Sequence, residues 1–365
     1  MRLLQLSSVL PPVRDGIGDA AAGIHRMLRS HGHEAFIGTS ADQAPGDGIF
    51  PVVPRWSARA LRPLLRLCRT LGIRTVLMHY PSPGYGRSLS LALLPWILRF
   101  SGRWLLVFVH EYVTYSRLGK LRLFLMLLPA HAIVTSDSIN MAALRALPFR
   151  RAPVFLYPTG CSIPVTDEKP PRERRPQGGR LRVLFFGLIQ KGKGVDALLS
   201  AFAQSPELRR RAELHVIGGL GAAPTAPERE LHAQLLRLPY VVAHGFVPAE
   251  SLGAHFHDMD VMIVPFENGV TERRTSFMAG LAFGLPVITT RPSVPLEGLQ
   301  HMGNVILMEE ASPRSIEHAI DATAGLDSQE LGTIGAMGRQ WYEKRFSEEI
   351  LYSRFRAIED SLTHH

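Results

Sequence analysis

Residues 265–287 read PFENGVTERRTSFMAGLAFGLPV, which sets Arg273 and Arg274 against Thr275 and Ser276 at the start of an apolar segment of small residues. The pattern predicts a loop that leaves a strand and enters a helix. Thr275 or Ser276 can cap that helix, its first free N–H groups favour an anion, and arginine adds bidentate contacts to phosphate. Ala279, Gly280, Ala282 and Gly284 would let the helix pack closely on a sheet. A second cationic loop, in FFGLIQKGKGVDALL, follows a strand ending at Gly187 and carries Lys191 and Lys193 ahead of a helix near Val195. Each loop has a plainer reading: lysines on a flexible surface, or a capped core helix with solvent-facing arginines. Together in one domain they favour a diphosphate pocket.

The first half carries chemistry of a different kind. RDGIGDAAAG, with Gly16, Gly18, Asp19 and Ala21, matches G-x-G-x-x-A, and Asp42 lies near the spacing of a ribose-binding acid. LPPVRD separates these glycines from the first strand, which argues against a nicotinamide dinucleotide and for a loop facing a substrate phosphate. LLVFVHEYVTY puts His110 and Glu111 at the carboxyl end of an inner strand. There a histidine can orient a hydroxyl or a sugar, and a carboxylate can act as base or hydrogen-bond acceptor. His79 and Tyr80 end the preceding strand, before a glycine- and tyrosine-rich loop that would shape an acceptor site. The competing reading of His110 and Glu111 is a satisfied structural pair at a strand end, and His79 likewise has a purely structural reading.

These residues need strand ends to hold them. RLLQLSS, HEAFIGT, TVLMHY, WLLVFVHE, HAIVTS and PVFLYPT read as strands alternating with helical patterns, the order of a parallel α/β domain. LRVLFFG, ELHVIGG, VVAHGFV, DVMIVPF, PVITT and GNVILM start a second series with short helical connections. Residues 164–180 are rich in Pro, Gly and charge and have no apolar period. The expected organisation is an N-terminal domain over 1–165, a linker over 166–180, a second domain over 181–345, and a closing helix over 346–365 that crosses back. Both domains read as Rossmann-like, doubly wound parallel sheets, with a ligand cleft at the carboxyl ends of their strands.

Composition narrows the field. With 365 residues, 46% hydrophobic and 20% charged, the chain suits two globular domains rather than disorder. Cys68 and Cys161 have no metal or redox spacing and read as unpaired thiols in a reducing cytoplasm. MRLLQLSSVLPPV reads as a first strand, not a secretory signal. The apolar region near residue 100 is cut by Pro95, Arg99, Gly102 and Arg103, so no run of about 20 residues is available to span a bilayer. The net charge of +9 is regional: residues 51–150 carry 14 Lys and Arg against 2 Asp and Glu, whereas residues 201–365 carry 14 against 21. Arg55, Arg59, Arg62, Arg66 and Arg69 recur at steps of 4, 3, 4 and 3, one face of a helix that Pro63 can end or kink. Trp56, Leu61, Leu64, Leu65 and Leu67 would supply the apolar side of an interfacial helix on anionic lipid, against the plainer reading of a solvated basic face. Without interleaved aromatics or a nucleic-acid motif, DNA and RNA are poor partners.

On the Gly16–Gly18 loop, the His110-Glu111 strand end, FGLIQKGKGVDALLSAF, ELHVIGG, VVAHGFVPAESL and PFENGVTERRTSFMAGLAFGLPVITT, the chain resembles GT-B-fold glycosyltransferases of the large retaining group that includes family 4. The resemblance implies a metal-independent, hexosyltransferase-like enzyme with no cofactor. A nucleoside diphosphate sugar would be held by the second domain, through Gly187, Lys193, Gly218, Phe246, Glu272, Arg273, Arg274, Thr275 and Ser276. Gly16, Gly18, Asp19, His79 and Tyr80 would face a saccharide, lipid-linked or small-molecule acceptor, and His110, Glu111, Lys193 and Arg273 would carry catalysis. The implied setting is polysaccharide or glycoconjugate synthesis in the cytoplasm or at the inner face of the cell membrane. Two departures stand out. The usual Glu-x7-Glu motif aligns with Thr271 and Ala279, with Glu272 one place out of register, and the arginine common at the start of the second domain is Leu188. NGVTERRTS looks like the loop of a sublineage in which an arginine pair stands in place of the acidic motif. A nucleotide-sugar epimerase or hydrolase of the same fold, and a catalytically silent nucleotide-binding scaffold, are the alternatives.

Overall fold

The computed structural model describes residues 1–13, 15–86, 89–148, 152–161, 163, 165, 179–221 and 224–363. The chain folds as two α/β units, Met1–Thr159 together with the segment from Glu348, and Gly160–Ser347. Most of the expected linker, residues 166–178, lies outside the described residues.

In the first unit, β1 (Arg2–Leu6), α1 (Gly16–Ser30), β2 (Glu34–Ser40), β3 (Ile49–Val53), α2 (Leu61–Thr70), β4 (Thr75–Tyr80), α3 (Leu93–Phe100), β5 (Trp104–Val109), α4 (Arg117–Leu127), β6 (Ala132–Thr135), α5 (Ser138–Arg145) and β7 (Val154–Leu156) follow in order. The seven strands form one parallel sheet in the order β3-β2-β1-β4-β5-β6-β7. Strands β4 and β5 are buried almost throughout, which explains their unbroken apolar sequence. The order reverses between β1 and β4, and the carboxyl ends beside such a switch point are where open α/β sheets bind ligands.

The second unit repeats the plan with β8 (Leu181–Phe186), α6 (Val195–Gln204), α7 (Pro206–Arg211), β9 (Ala212–Ile217), α8 (Ala226–Leu235), β10 (Val241–Gly245), α9 (Ala249–His257), β11 (Val261–Val264), α10 (Thr275–Ala282), β12 (Val287–Thr290), β13 (Ile306–Met308), α11 (Pro313–Ala324) and α12 (Ser328–Phe346). Its parallel order is β10-β9-β8-β11-β12-β13, with the switch between β8 and β11. The small residues of α10 do what their size allows. A Cβ on Gly280 would lie 2.7 Å from Val287 Cγ2 and 2.8 Å from Met262 Sδ, so the helix rests directly on β11 and β12.

The long C-terminal helical pattern is two helices. α12 stops at Phe346, and after Ser347 the chain enters α13 (Glu348–Thr363), which packs on the first unit. Phe355, Ile358 and Leu362 are buried in one cluster with Leu3, Leu28 and Phe108.

The structure corrects the interfacial-helix reading of the arginine stripe. Pro63 sits in the first turn of α2 and neither ends nor kinks it, but Arg55 and Arg59 precede the helix, so only Arg62, Arg66 and Arg69 share it. Trp56, Leu64 and Leu67 are 4%, 0% and 8% exposed and belong to the core, and Leu61 and Leu65 pack against it. The apolar side of α2 therefore faces the sheet and is not available to lipid. Among the described residues no helix is long and apolar enough to cross a membrane. Both cysteines are unpaired thiols, and burial pushes Cys161 up to about 12.

Because α13 seals one face of the first sheet, Ile358→Ala is expected to cost about 2–4 kcal/mol, the range for an aliphatic side chain cut from a packed core. Urea denaturation of the full chain measures it; a loss below about 1 kcal/mol would mean that α13 does not hold the unit together.

Candidate functional site

Two clusters form at the switch points, one in each unit. In the second, the loop after β8 and the loop after β11 meet. Gly194 has φ +66°, and a Cβ there would lie 2.0 Å from the Pro265 carbonyl oxygen, so only glycine permits the approach. Glu267 locks the two loops: its Oε1 accepts from the Gly192 N–H at 2.9 Å, and its own N–H donates to the Gly192 oxygen at 3.3 Å. The Lys191 N–H adds a bond to Glu228 Oε1 at 3.1 Å.

This clamp puts cations together. Lys193 Nζ lies 5.3 Å and Arg274 Cζ 4.5 Å from the centroid of the fully buried Phe266 ring. Burial, then the positive charges of Arg274 and Arg273, pull the Lys193 ammonium down to about 8. A Cβ on Gly187 would have Ser276 Oγ at 3.9 Å and Lys193 Nζ at 4.0 Å, so lysine, serine and the end of β8 converge on one point. Ser276 is 2% exposed, and its Oγ has no hydrogen-bond partner. Thr275 and Ser276 do not cap α10 as expected. The N-cap is Arg274, which makes no side-chain cap bond, and the two hydroxyl residues fall inside the first turn. A helix start without a side-chain cap, an orphaned hydroxyl and several cations ask for an anion.

The remaining donor-side residues are spread around this cluster. Gly218 follows β9 and its N–H donates to the Gly245 oxygen, Phe246 is 59% exposed just after β10, and Glu272 is half-buried in the loop before α10. Thr271 and Ala279, where the resemblance would place acids, are 7% and 1% exposed, and Thr271 Oγ1 is a second buried hydroxyl without a partner.

In the first unit, Gln5 on β1, His79 on β4 and His110 just after β5 form a buried chain across the switch point. His79 Nε2–H donates to Gln5 Oε1 at 2.8 Å, which leaves His79 Nδ1 to accept from His110 Nε2–H at 2.9 Å. The two histidine rings and Phe108 stack, with Phe108 and His110 centroids 4.2 Å apart at 13°. His79 is fully buried, and burial pulls it down to about 3, so it stays neutral. His110 Nε2 is thereby committed to donation, which fixes the orientation of its ring. Glu111 follows, half-buried, and Tyr80 is buried at the end of β4 under the Arg122 guanidinium.

The glycine match at Gly16–Gly18 is not an open phosphate loop. It is the first turn of α1, and the Asp15 carboxylate accepts from the Ile17 and Gly18 N–H groups at 3.0 Å each, filling the place a phosphate would take. Asp19 lies behind it, pushed up to about 6 by burial and then by the Asp15 charge.

Reading the sequence missed Gln5 and Arg122. Both are polar residues in apolar runs, RLLQL and LRLFLML, and that interruption was the available signal. Arg122 is 9% exposed, donates from Nη1 to the Gly86 oxygen at 2.8 Å, and has no partner for Nε or Nη2. Among the described residues no three His, Cys, Asp or Glu side chains are grouped to hold a metal ion.

His79 ties the site to pH. A buried histidine held at about 3 and free to protonate near 6.5 when unfolded stabilises the fold fully above about pH 6.5, and that stability is lost as pH falls toward 3. The slope is roughly 1.4 kcal/mol per pH unit. His79→Gln is expected to be less stable at neutral pH but to lose less between about pH 6 and 4 than the parent, by urea midpoints. Parallel slopes would show that His79 does not stay neutral.

Comparison with known proteins follows this geometry. Residues 180–324 match the profile of the family described as Glycosyl transferases group 1. No curated protein matches the chain. Among solved structures the chain is similar to sucrose-phosphate synthase from Thermosynechococcus elongatus, at 18% identity over 100% of both chains with a TM-score of 0.73. It is similar to HepE of Anabaena in complex with UDP and glucose, at 16% identity over 100% of this chain and 99% of that one, with a TM-score of 0.70. The catalytic domain of starch synthase IV from Arabidopsis thaliana, bound to ADP and acarbose, matches at 13% identity over 100% of this chain and 99% of that one, with a TM-score of 0.66. The chain thus has the GT-B fold, and residues 180–324, within its second unit, are similar to the Glycosyl transferases group 1 family.

Proposed function

We propose that the protein transfers a hexose from a nucleoside diphosphate sugar to an acceptor hydroxyl with retention of anomeric configuration, in polysaccharide or glycoconjugate synthesis in the cytoplasm or at the inner membrane face. The observation that carries this reading is the meeting of Lys193, Arg274 and the orphaned Ser276 hydroxyl at the uncapped start of α10. As the bond from the anomeric carbon to the diphosphate oxygen breaks, charge grows on the diphosphate. Lys193, Arg273, Arg274 and the α10 N–H groups stabilise it there, an electrostatic role that needs no metal. The arginine pair supplies the cation that is missing at Leu188. Support for a nucleotide comes also from solved relatives of the same fold, which hold UDP or ADP.

In the first unit His110, held by His79 and through it by Gln5, orients the transferred sugar, and Glu111 orders the acceptor. The new bond forms between the acceptor oxygen and the anomeric carbon.

Thermal shift against a panel of nucleoside diphosphates and their sugars tests the donor pocket, since a ligand at 100 times its Kd adds about 2.7 kcal/mol. A shift with one nucleoside diphosphate, lost in Arg273→Ala/Arg274→Ala, is expected, together with a drop in turnover of at least about tenfold in Lys193→Ala. Because Lys193 loses its proton near 8, affinity should weaken by up to about tenfold per pH unit above that value, and Lys193→Arg should remove the dependence. Product from donor alone would mean an epimerase or hydrolase. Nucleotide binding without turnover would mean a silent scaffold, and no shift with any nucleotide would overturn the donor pocket itself.

A further inference from the structure

The exposed apolar surface of the chain is concentrated in one place. Among the described residues thirteen large apolar side chains are exposed, and six of them lie between Leu93 and Leu125. Phe100 and Leu118 are 79% exposed, Leu121 55%, Leu93 53% and Leu125 42%. They sit on α3 and α4, which pack side by side: Trp96 Nε1–H on α3 donates to the Leu125 oxygen on α4 at 3.0 Å, and the Trp96 and Phe100 rings stack 6.1 Å apart. Leu93 and Phe100 lie one turn to either side of Trp96, and Leu121 and Leu118 lie one and two turns before Leu125. The result is one continuous aliphatic and aromatic face, whereas apolar residues on the neighbouring α2 point into the core.

The charge around this face has one sign. From residue 48 to residue 136 the sequence has twelve Lys and Arg, and Glu111 is its only acid. Arg99 is exposed beside Phe100, Arg117 is exposed beside Leu118, and Lys120 lies beside Leu121. Exposed apolar side chains rimmed by cations suit the interface of an anionic bilayer, where the apolar groups enter the acyl boundary and the cations meet lipid phosphates. Nucleic acid would use the cations but has no place for three aliphatic side chains on α4. A second copy of the chain would bring the same positive charge to the contact and repel.

We infer that the α3–α4 face of the first unit docks on anionic lipid, with Phe100, Leu118 and Leu121 inserted and Arg99, Arg117 and Lys120 at the headgroups. The α2 arginines add long-range attraction without inserting. Docking of this kind would keep a lipid-linked acceptor within reach of the His110 end of the same unit.

Sedimentation of the full chain with vesicles tests this without donor or acceptor, so it succeeds or fails independently of sugar transfer. Vesicles of phosphatidylcholine alone are compared with equal parts phosphatidylcholine and phosphatidylglycerol. The parent is expected to bind the anionic vesicles more tightly and to be released by salt. Phe100→Ser/Leu118→Ser, at two side chains that are each 79% exposed, is expected to bind them at least about tenfold more weakly. Arg62→Glu/Arg66→Glu should cost less than the apolar pair. Unchanged binding in Phe100→Ser/Leu118→Ser, or no vesicle binding by the parent, would overturn the assignment. So would analytical ultracentrifugation showing a parent dimer that the same double variant abolishes, because the face would then belong to a second copy.

Discussion

The proposed donor site depends on one close approach, that of Gly194 to the Pro265 carbonyl. Two adjacent strands, β8 and β11, deliver their loops to the same point, and the loops can touch only because residue 194 has no side chain and adopts φ +66°. From that contact the rest follows. Lys193 is carried over Phe266, where Arg274 already lies, and both face the start of a helix with no side-chain cap. Burial, and then the nearby charges of Arg274 and Arg273, depress Lys193 to about 8. Cations gathered in this way repel one another, and a diphosphate would relieve that repulsion.

The first unit solves the opposite problem at its own switch point. There a buried chain runs from Gln5 through His79 to His110, and burial forces His79 to remain neutral. Its effect is orientational: His79 donates to Gln5 and accepts from His110, which fixes both imidazole rings. In the proposed reaction one unit gathers charge for a leaving group and the other orients a hydroxyl, a division that suits transfer between a diphosphate sugar and a neutral nucleophile.

Much of this was legible in the residues. Unbroken apolar runs such as VLMHY and WLLVFV mark central parallel strands, and the small residues of α10 announce its close packing on the sheet. Strand β3 was not legible, because IFPVV contains Pro51, which an edge strand tolerates and an inner strand does not. The α1 start was misread for a competing signal: Asp15 is a strong N-cap, yet the glycine spacing after it imitates a phosphate loop. The regular arginine steps before and along α2 suggested one amphipathic helix, but the chain bends before Leu61, and its leucines face the core. Gln5 found its role only through sheet order, since β1 and β4 are neighbours in space and far apart in sequence. The α3–α4 face was hidden for a similar reason. α4 is apolar on more than one side, and periodicity cannot say which side remains in water.

The most direct test of the central claim is a crystal structure of the chain soaked with the nucleoside diphosphate that stabilises it best. The account predicts the diphosphate at the start of α10, with Lys193 Nζ and Ser276 Oγ within hydrogen-bond reach of its oxygens and an arginine of the Arg273-Arg274 pair alongside. A nucleotide bound elsewhere, or at α10 with Ser276 Oγ still unpaired and Lys193 turned away, would contradict it.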